Sequence, residues 1–388
     1  MTIYLDCNAT TPIDPEVAKV VRHYMEVEFG NAGSRTHEYG LRAKQAVERA
    51  REQVAAVVDA KPDEVIFTSG ATEANNLAIL GLEAEGRRTG KMHIVSTQIE
   101  HKAVLEPLEE MRRRGFEVDL VSPDGSGRVP PGDLLGRVRP DTLLVSVMHA
   151  NNETGVLQDV GVICRELAGS PVLIHCDCAQ TVGKVGPLDV PLADMISVSA
   201  HKMHGPKGVG CLIVRRQDWS RAPIRPLLYG GGQERGLRAG TVPVALVAGF
   251  GEAAAQLVGE APQRARTCRV LRRLFLDSLG VGFEENGDSQ GTMPHVANIC
   301  LPGVDAEALI VSLRGRVAVS TGSACNSTKH SPSHVLLAMG MNEDRIRSSI
   351  RVSWSAHHTP QEMAQAGREI RACWMRLSGE CEGVTAKS

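Results

Sequence analysis

Two short apolar runs, Met195 to Val198 and Val209 to Val214, bracket the segment Ser199-Ala200-His201-Lys202-Met203-His204-Gly205-Pro206-Lys207-Gly208. The pattern reads as two strands around a turn that carries Lys202. A lysine held between buried strands and crowded by a second cation such as a neighbouring His is poorly solvated. Its pKa falls, and its amine becomes a nucleophile toward an aldehyde. Upstream, Leu173-Ile174-His175-Cys176-Asp177-Cys178-Ala179-Gln180 reads as a strand ending on a carboxylate. An amine for a Schiff base and a carboxylate for a pyridinium nitrogen are the two protein groups that pyridoxal phosphate chemistry needs. A lysine on its own reads as a structural ion pair or a surface residue; a phosphate site in the same chain weighs against that.

Such a site is Val65-Ile66-Phe67-Thr68-Ser69-Gly70-Ala71-Thr72-Glu73-Ala74-Asn75-Asn76. A β-branched run meets a glycine turn, and a helical pattern then opens on small residues. The turn aims free backbone N–H groups and the positive end of a helix at one spot, which suits a phosphate. The alternative for Ser69 or Thr72 is a plain helix cap.

Further stretches carry a family likeness: Tyr4-Leu5-Asp6-Cys7-Asn8-Ala9-Thr10-Thr11-Pro12, Glu100-His101-Lys102, Asn151-Asn152-Glu153-Thr154-Gly155, Arg238-Ala239-Gly240-Thr241 and Ser320-Thr321-Gly322-Ser323-Ala324-Cys325. From about Ile3 to about Thr359 the chain strongly resembles the cysteine desulfurases of the NifS and IscS kind. These belong to the class V aminotransferase family of fold type I pyridoxal phosphate enzymes. The resemblance implies that Lys202 carries the cofactor, that Asp177 keeps its ring nitrogen protonated, and that Gln180 and Asn152 contact the ring. It gives the phosphate to Ala71, Thr72, Ser199 and His201, with Thr241 reaching in from the second subunit of a homodimer. His101 stacks on the ring and moves protons, and Arg351 takes the substrate carboxylate, for which a planar guanidinium fork is suited. Cys325 attacks the sulfur of L-cysteine, releases L-alanine and keeps the sulfur as a persulfide for a protein acceptor. That sulfur feeds iron–sulfur assembly or the thio-modification of tRNA or DNA. Within the same fold the alternatives are a selenocysteine lyase or an aminotransferase, and outside enzymology a non-catalytic sulfur-trafficking scaffold. The chain departs from the usual family residues at Cys7, Cys178, Ala200 and His204.

The elements that must position these residues alternate from Val65 onward: runs at 65–68, 93–97, 117–121, 143–148, 172–177, 195–199 and 210–214 read as strands, with helical patterns between several of them. The pattern predicts an α/β fold, a mainly parallel sheet covered by helices, with ligands beyond the carboxyl ends of the strands. Gly70, His101, Asn152, Asp177 and Lys202 all fall there. Residues 16–260 read as the large cofactor-binding domain, and 1–15 with 261–388 as a smaller α+β domain bearing Cys325. A helix is expected from Pro243 to about Gly259, a crossing at Pro262 and a helix from Arg264 to Leu279. The segment from about Ser320 to His334 has no apolar periodicity and is expected to be weakly ordered, carrying Cys325 between cofactor and acceptor.

Composition narrows the class. With 43 basic and 45 acidic residues among 388, no global field favours nucleic acid or an anionic membrane, so no direct contact with either is expected. The Arg112-Arg113-Arg114 run and the arginines from Arg264 to Arg273 read as solvated helix faces. Ten cysteines in a chain of this length do not make a disulfide scaffold, and the first residues lack a signal-peptide pattern, which points to the cytoplasm. The longest apolar helical stretch, Val242 to Val258, is interrupted by Glu252 and falls short of a span. His175 and Cys176 point to opposite faces of a strand, so no metal site is expected.

Overall fold

The structure, a computed structural model, describes residues 2–185, 190, 193–217, 220–322 and 332–379. The chain opens on a two-residue strand, β1 (Ile3–Tyr4). Seven strands then build the main sheet: β2 (Val65–Thr68), β3 (His93–Thr97), β4 (Glu117–Val121), β5 (Thr142–Met148), β6 (Leu173–Asp177), β7 (Met195–Ser199) and β8 (Gly210–Val214). Their order is β2-β8-β7-β6-β5-β3-β4, parallel except that β8 runs against both its neighbours. A short hairpin, β9 (Arg216–Gln217) with β10 (Ser220–Arg221), follows. The smaller sheet consists of β11 (Glu284–Glu285), β12 (Val296–Cys300) and β14 (Ser349–Ser353), while β13 (Val317–Ala318) pairs with β1 in parallel.

Most main-sheet strands are buried along their whole length because both faces are covered. Val65, Phe67, Val95 and Val145 pack toward Ala43, Val47, Val54, Val247 and Phe250 on the helices Glu38–Val57 and Val244–Leu257. Their neighbours Ile66, Ile94 and Leu144 pack the other way, toward Ala74, Leu77, Val104 and Leu108 on the helices Ala71–Leu80 and Lys102–Arg113. A separate core joins Ile3 and Leu5 to Phe275, Ile299, Ile350, Trp354, Ile370 and Trp374. The expected crossing at Pro262 is displaced. Gly259, at φ 81°, ends the preceding segment, and the next helix, Ala261–Leu279, already contains Pro262. In the first turn the missing N–H of proline has no helical partner to lose.

The turn after β2 is braced from below by a buried ion pair. Arg51 Nη2 meets Glu234 Oε1 at 2.8 Å, Arg51 Nη1 also donates to Val65 O at 2.7 Å, and Glu234 Oε2 accepts from Phe67 N at 2.8 Å. Both side chains are 4% exposed, so truncating one leaves the other charged and dry. A Glu234→Ala protein is expected to lose about 3–5 kcal/mol in urea unfolding, with the Arg51→Met, Glu234→Leu double variant recovering most of it. A loss below about 1 kcal/mol in the single variant would show that the pair contributes no stability.

Candidate active site

The registers bring three strand ends side by side: Thr68 lies opposite Gly210, and Gly210 opposite Ser199. A Cβ on Gly210 would sit 2.7 Å from Gly70 Cα, so the glycine there lets the turn after β2 settle against β8. The helix Ala71–Leu80 starts from Gly70 with no side-chain cap, and its first ladder bond runs from Ala74 N to Gly70 O. The N–H groups of Ala71, Thr72 and Glu73 therefore precede the first rung of the ladder, and Ser199 Oγ stands next to them, 3.9 Å from a Cβ built on Gly70.

Lys202 closes the 3-10 turn Ala200–Lys202 directly after β7, and its Nζ donates to Ala9 O at 2.8 Å and to Asn8 O. The N-terminal arm lies across this turn: Thr11 N and Oγ1 both donate to His201 O at 3.0 Å, and His201 Nδ1 meets Thr10 Oγ1 at 3.1 Å. Burial, with the nearby lysines 202, 207 and 184, lowers the His201 pKa to about 4, so its ring is neutral. On the adjacent strand end, Asp177 accepts from Asn75 Nδ2 at 2.7 Å and from Ala179 N at 2.9 Å. Gln180 Nε2 donates to Asn8 O at 3.0 Å, and its Oε1 accepts from Lys184 Nζ at 3.2 Å.

His101 caps the helix Lys102–Arg113, with Nδ1 accepting from Ala103 N at 3.0 Å, which leaves the ring proton on Nε2. Its pKa is lowered by burial; Asp177 opposes the shift, while Lys202, His334 and Arg351 add to it. Arg351 on β14 is buried; Nη2 pairs with Asp6 Oδ1 at 2.7 Å, Nη1 donates to Asn152 O at 3.1 Å, and Nε has no partner. An open cavity of about 650 Å³ lies beside it, lined by His101, Asn152, Glu153, Gly322, Pro332 and His334 among others.

The model of the family described as aminotransferase class-V matches residues 3–365. The chain is 43% identical to the cysteine desulfurase IscS of Vibrio cholerae serotype O1 (strain ATCC 39541) over 97% of its own length and 94% of that protein's. The chain belongs to the cysteine desulfurase family of class V aminotransferases. Among solved structures similar to it is a NifS-like protein, 36% identical, with TM-score 0.88 over 96% of this chain and 99% of that one. Another is DndA from Streptomyces lividans, 49% identical, with TM-score 0.79 over 89% and 98%.

Within this cysteine desulfurase fold, the structure brings together Ala71, Thr72, His101, Asn152, Asp177, Gln180, Ser199, His201 and Lys202 at the carboxyl ends of the main-sheet strands, and Arg351, midway along β14 of the smaller sheet, joins them through Asn152 and Asp6. Arg351 is buried and bonded, so the solvent-exposed edge arginine that its residue type alone allows is not what is found. Thr241 is exposed in the single chain. Cys325 lies outside the described residues, as does the rest of 323–331. The expected weak order of the loop falls mostly on those residues; the flanks that the structure describes are hydrogen-bonded. Ser320 exchanges backbone bonds with Arg351 at 3.3 and 2.7 Å and donates from Oγ to Asp6 Oδ1; Ser333 Oγ donates to Glu153 Oε2 at 2.5 Å, and His334 Nε2 contacts Glu100 O at 3.0 Å. The sequence reading did not select Asn75, Asn8, Asp6 or Lys184. The two adjacent amides Asn75 and Asn76 in the helix Ala71–Leu80 were the available signal for Asn75.

Proposed function

We propose that the protein is a pyridoxal phosphate enzyme that takes sulfur from L-cysteine, releasing L-alanine and leaving a persulfide on Cys325. The observation that carries this reading is the placement, on adjoining strand ends, of an amine at Lys202, a twice-bonded carboxylate at Asp177 and an uncapped helix start at Ala71. These match the aldehyde, ring nitrogen and phosphate of one flat molecule. The buried Asn8 Oδ1, Asn75 Oδ1 and Arg351 Nε, all without partners, leave polar capacity around the same space. When bound, the cofactor supplies an electron-poor ring that acidifies the substrate Cα.

The chain's own groups do the rest. Lys202 holds the cofactor and, once displaced, accepts the Cα proton. Asn75 and the Ala179 N–H fix both oxygens of Asp177, which keeps the ring nitrogen protonated. Gln180 and Asn152 set the ring's position, and neutral His101 carries a proton at Nε2. The phosphate is held by Ala71, Thr72, Ser199 and His201, and by Thr241 of the partner subunit. Arg351 receives the carboxylate of L-cysteine. The Cys325 thiolate attacks the substrate sulfur; the S–Cβ bond breaks, its electron pair stays on carbon, and a proton completes the alanine. The two-part division, 16–260 against 1–15 with 261–388, is supported by the packing of Ile3 and Leu5 with the late segments. The sulfur then passes to a protein thiol, for iron–sulfur assembly or thio-modification, in the cytoplasm and without direct nucleic-acid contact.

Purified protein supplied with L-cysteine and a reductant should be yellow and release equal amounts of alanine and sulfide; a colourless protein that does neither would end this reading. Arg351→Lys is expected to raise KM for L-cysteine roughly 10- to 100-fold through loss of the charge-assisted fork, with a smaller change in kcat. An unchanged KM would place the carboxylate elsewhere.

A further inference from the structure

The guanidinium that the proposed function gives to the substrate carboxylate is paired with a carboxylate of the chain itself. Arg351 Nη2 meets Asp6 Oδ1 at 2.7 Å, while Nη1 donates to Asn152 O at 3.1 Å. The two partners differ in their access to water: the Arg351 side chain is 5% exposed and that of Asp6 19%. The cation is dry on nearly every side, and the anion keeps an edge toward solvent.

Asp6 reaches Arg351 from the far end of the chain, and the backbone around it is fixed by other bonds. Asp6 bridges Ser353 in parallel, with Cys7 N on Ser353 O at 3.0 Å and Asn8 N on Ser353 Oγ at 2.9 Å. Its Oδ1 also accepts from Ser320 Oγ at 3.0 Å. The carboxylate can therefore let go of the guanidinium and still keep a hydrogen-bond donor and its contact with water. Other acidic groups near Arg351 are unsuited to this role. Burial raises the Glu153 carboxyl and so favours its neutral form, with Ser333, His334 and Arg351 opposing. The Tyr4 phenol is raised to about 12, by burial and then by Asp6 and Cys7.

We propose that Asp6 is a positioning residue that acts as the exchangeable counter-ion of Arg351: it balances and aligns the guanidinium between turnovers, gives up Nη2 to the carboxylate of L-cysteine, and takes it back as L-alanine leaves. This rests on Arg351 receiving the substrate carboxylate, as in the proposed function, and adds the group that lets the product go. A buried guanidinium left without an anion is strongly unfavourable, so departure of the product would otherwise be opposed by the charge it strands. With Asp6 at hand, one carboxylate replaces another. The consequence is weaker binding of both amino acids, because each must first displace an anion already in place.

The test follows the spectral change of the full-length, cofactor-loaded protein on titration with L-alanine and with L-alaninamide, which has the same skeleton without the negative charge. Asp6→Asn keeps a side-chain oxygen for Arg351 and Ser320 and removes the charge. In that variant the dissociation constant for L-alanine is expected to fall roughly three- to tenfold, and inhibition of sulfide release by L-alanine to strengthen by the same factor. The constant for L-alaninamide should stay within about twofold. An L-alanine constant that is unchanged or larger overturns the inference. So does an equal change for both compounds, which would be an effect of the arm on the amine site and not of charge at Arg351. Should the variant fold poorly, a crystal structure of the unaltered protein with L-alanine decides: Arg351 Nη2 should bond the alanine carboxylate in place of Asp6, and an intact Asp6–Arg351 bond beside bound alanine would sink the exchange. Failure of the proposed carboxylate site reads differently, as L-alanine binding to Arg351→Lys with undiminished affinity, and it takes the role of Asp6 with it.

Discussion

A Lys202→Ala protein is expected to release alanine and sulfide from L-cysteine at least about 10⁴-fold more slowly than the unaltered chain, the scale of loss when a catalytic nucleophile is deleted. The loss is expected to be this large because one amine serves twice, as the covalent anchor of the cofactor and as the base that takes the Cα proton. The phosphate contacts come from Ala71, Thr72, Ser199 and His201, so the variant should still bind the cofactor, but reversibly. Borohydride will then fix cofactor to the unaltered chain at position 202 and will fix none to the variant. Attachment at Lys207 or Lys184 in the unaltered chain would overturn the assignment.

Cys325→Ser separates the two halves of the reaction. The variant should keep its colour and still change its spectrum on adding L-cysteine, since those events need Lys202 and Arg351 but no thiol. Sulfide and alanine formation should fall by roughly 10³-fold or more, because a serine hydroxyl is a poor nucleophile and cannot hold a persulfide. Cys7 and Cys178 stand near the site as substitutes in name only: they are 1% and 0% exposed. A persulfide found on either of them in the variant would show that sulfur reaches the interior and would remove Cys325 from its role.

The strand ends were legible because two local signals coincide there, an apolar run and a following turn of special residue types. Asp177 and Lys202 could be singled out on that basis alone, and the Gly70 turn by its helix start. The partners of these residues were not legible. Asn75 meets Asp177 across 102 positions and Asn8 meets Ser353 across 345, distances over which no periodicity carries information. Lys184 was hidden for a different reason: in sequence it is an ordinary lysine after a Gly, and only its bond to Gln180 Oε1 places it beside the site. The start of the helix Ala261–Leu279 was missed because proline was read as an interruption, although a first turn accepts it without loss.

The N-terminal arm has a bearing on how the enzyme comes into being. Its bonds run from Asn8 N to Ser353 Oγ and from Arg351 to Asp6, both spanning 345 positions, while Asn8 and Ala9 cover the lysine in between. A segment synthesised early therefore has to wait for one made 345 positions later before either is satisfied. The main sheet can collapse earlier on its own apolar faces, but closing so long a loop is an entropic cost met late. Catalytic competence is thus coupled to synthesis of β14: a nascent protein stopped before it lacks both Arg351 and the surface that holds the arm over Lys202.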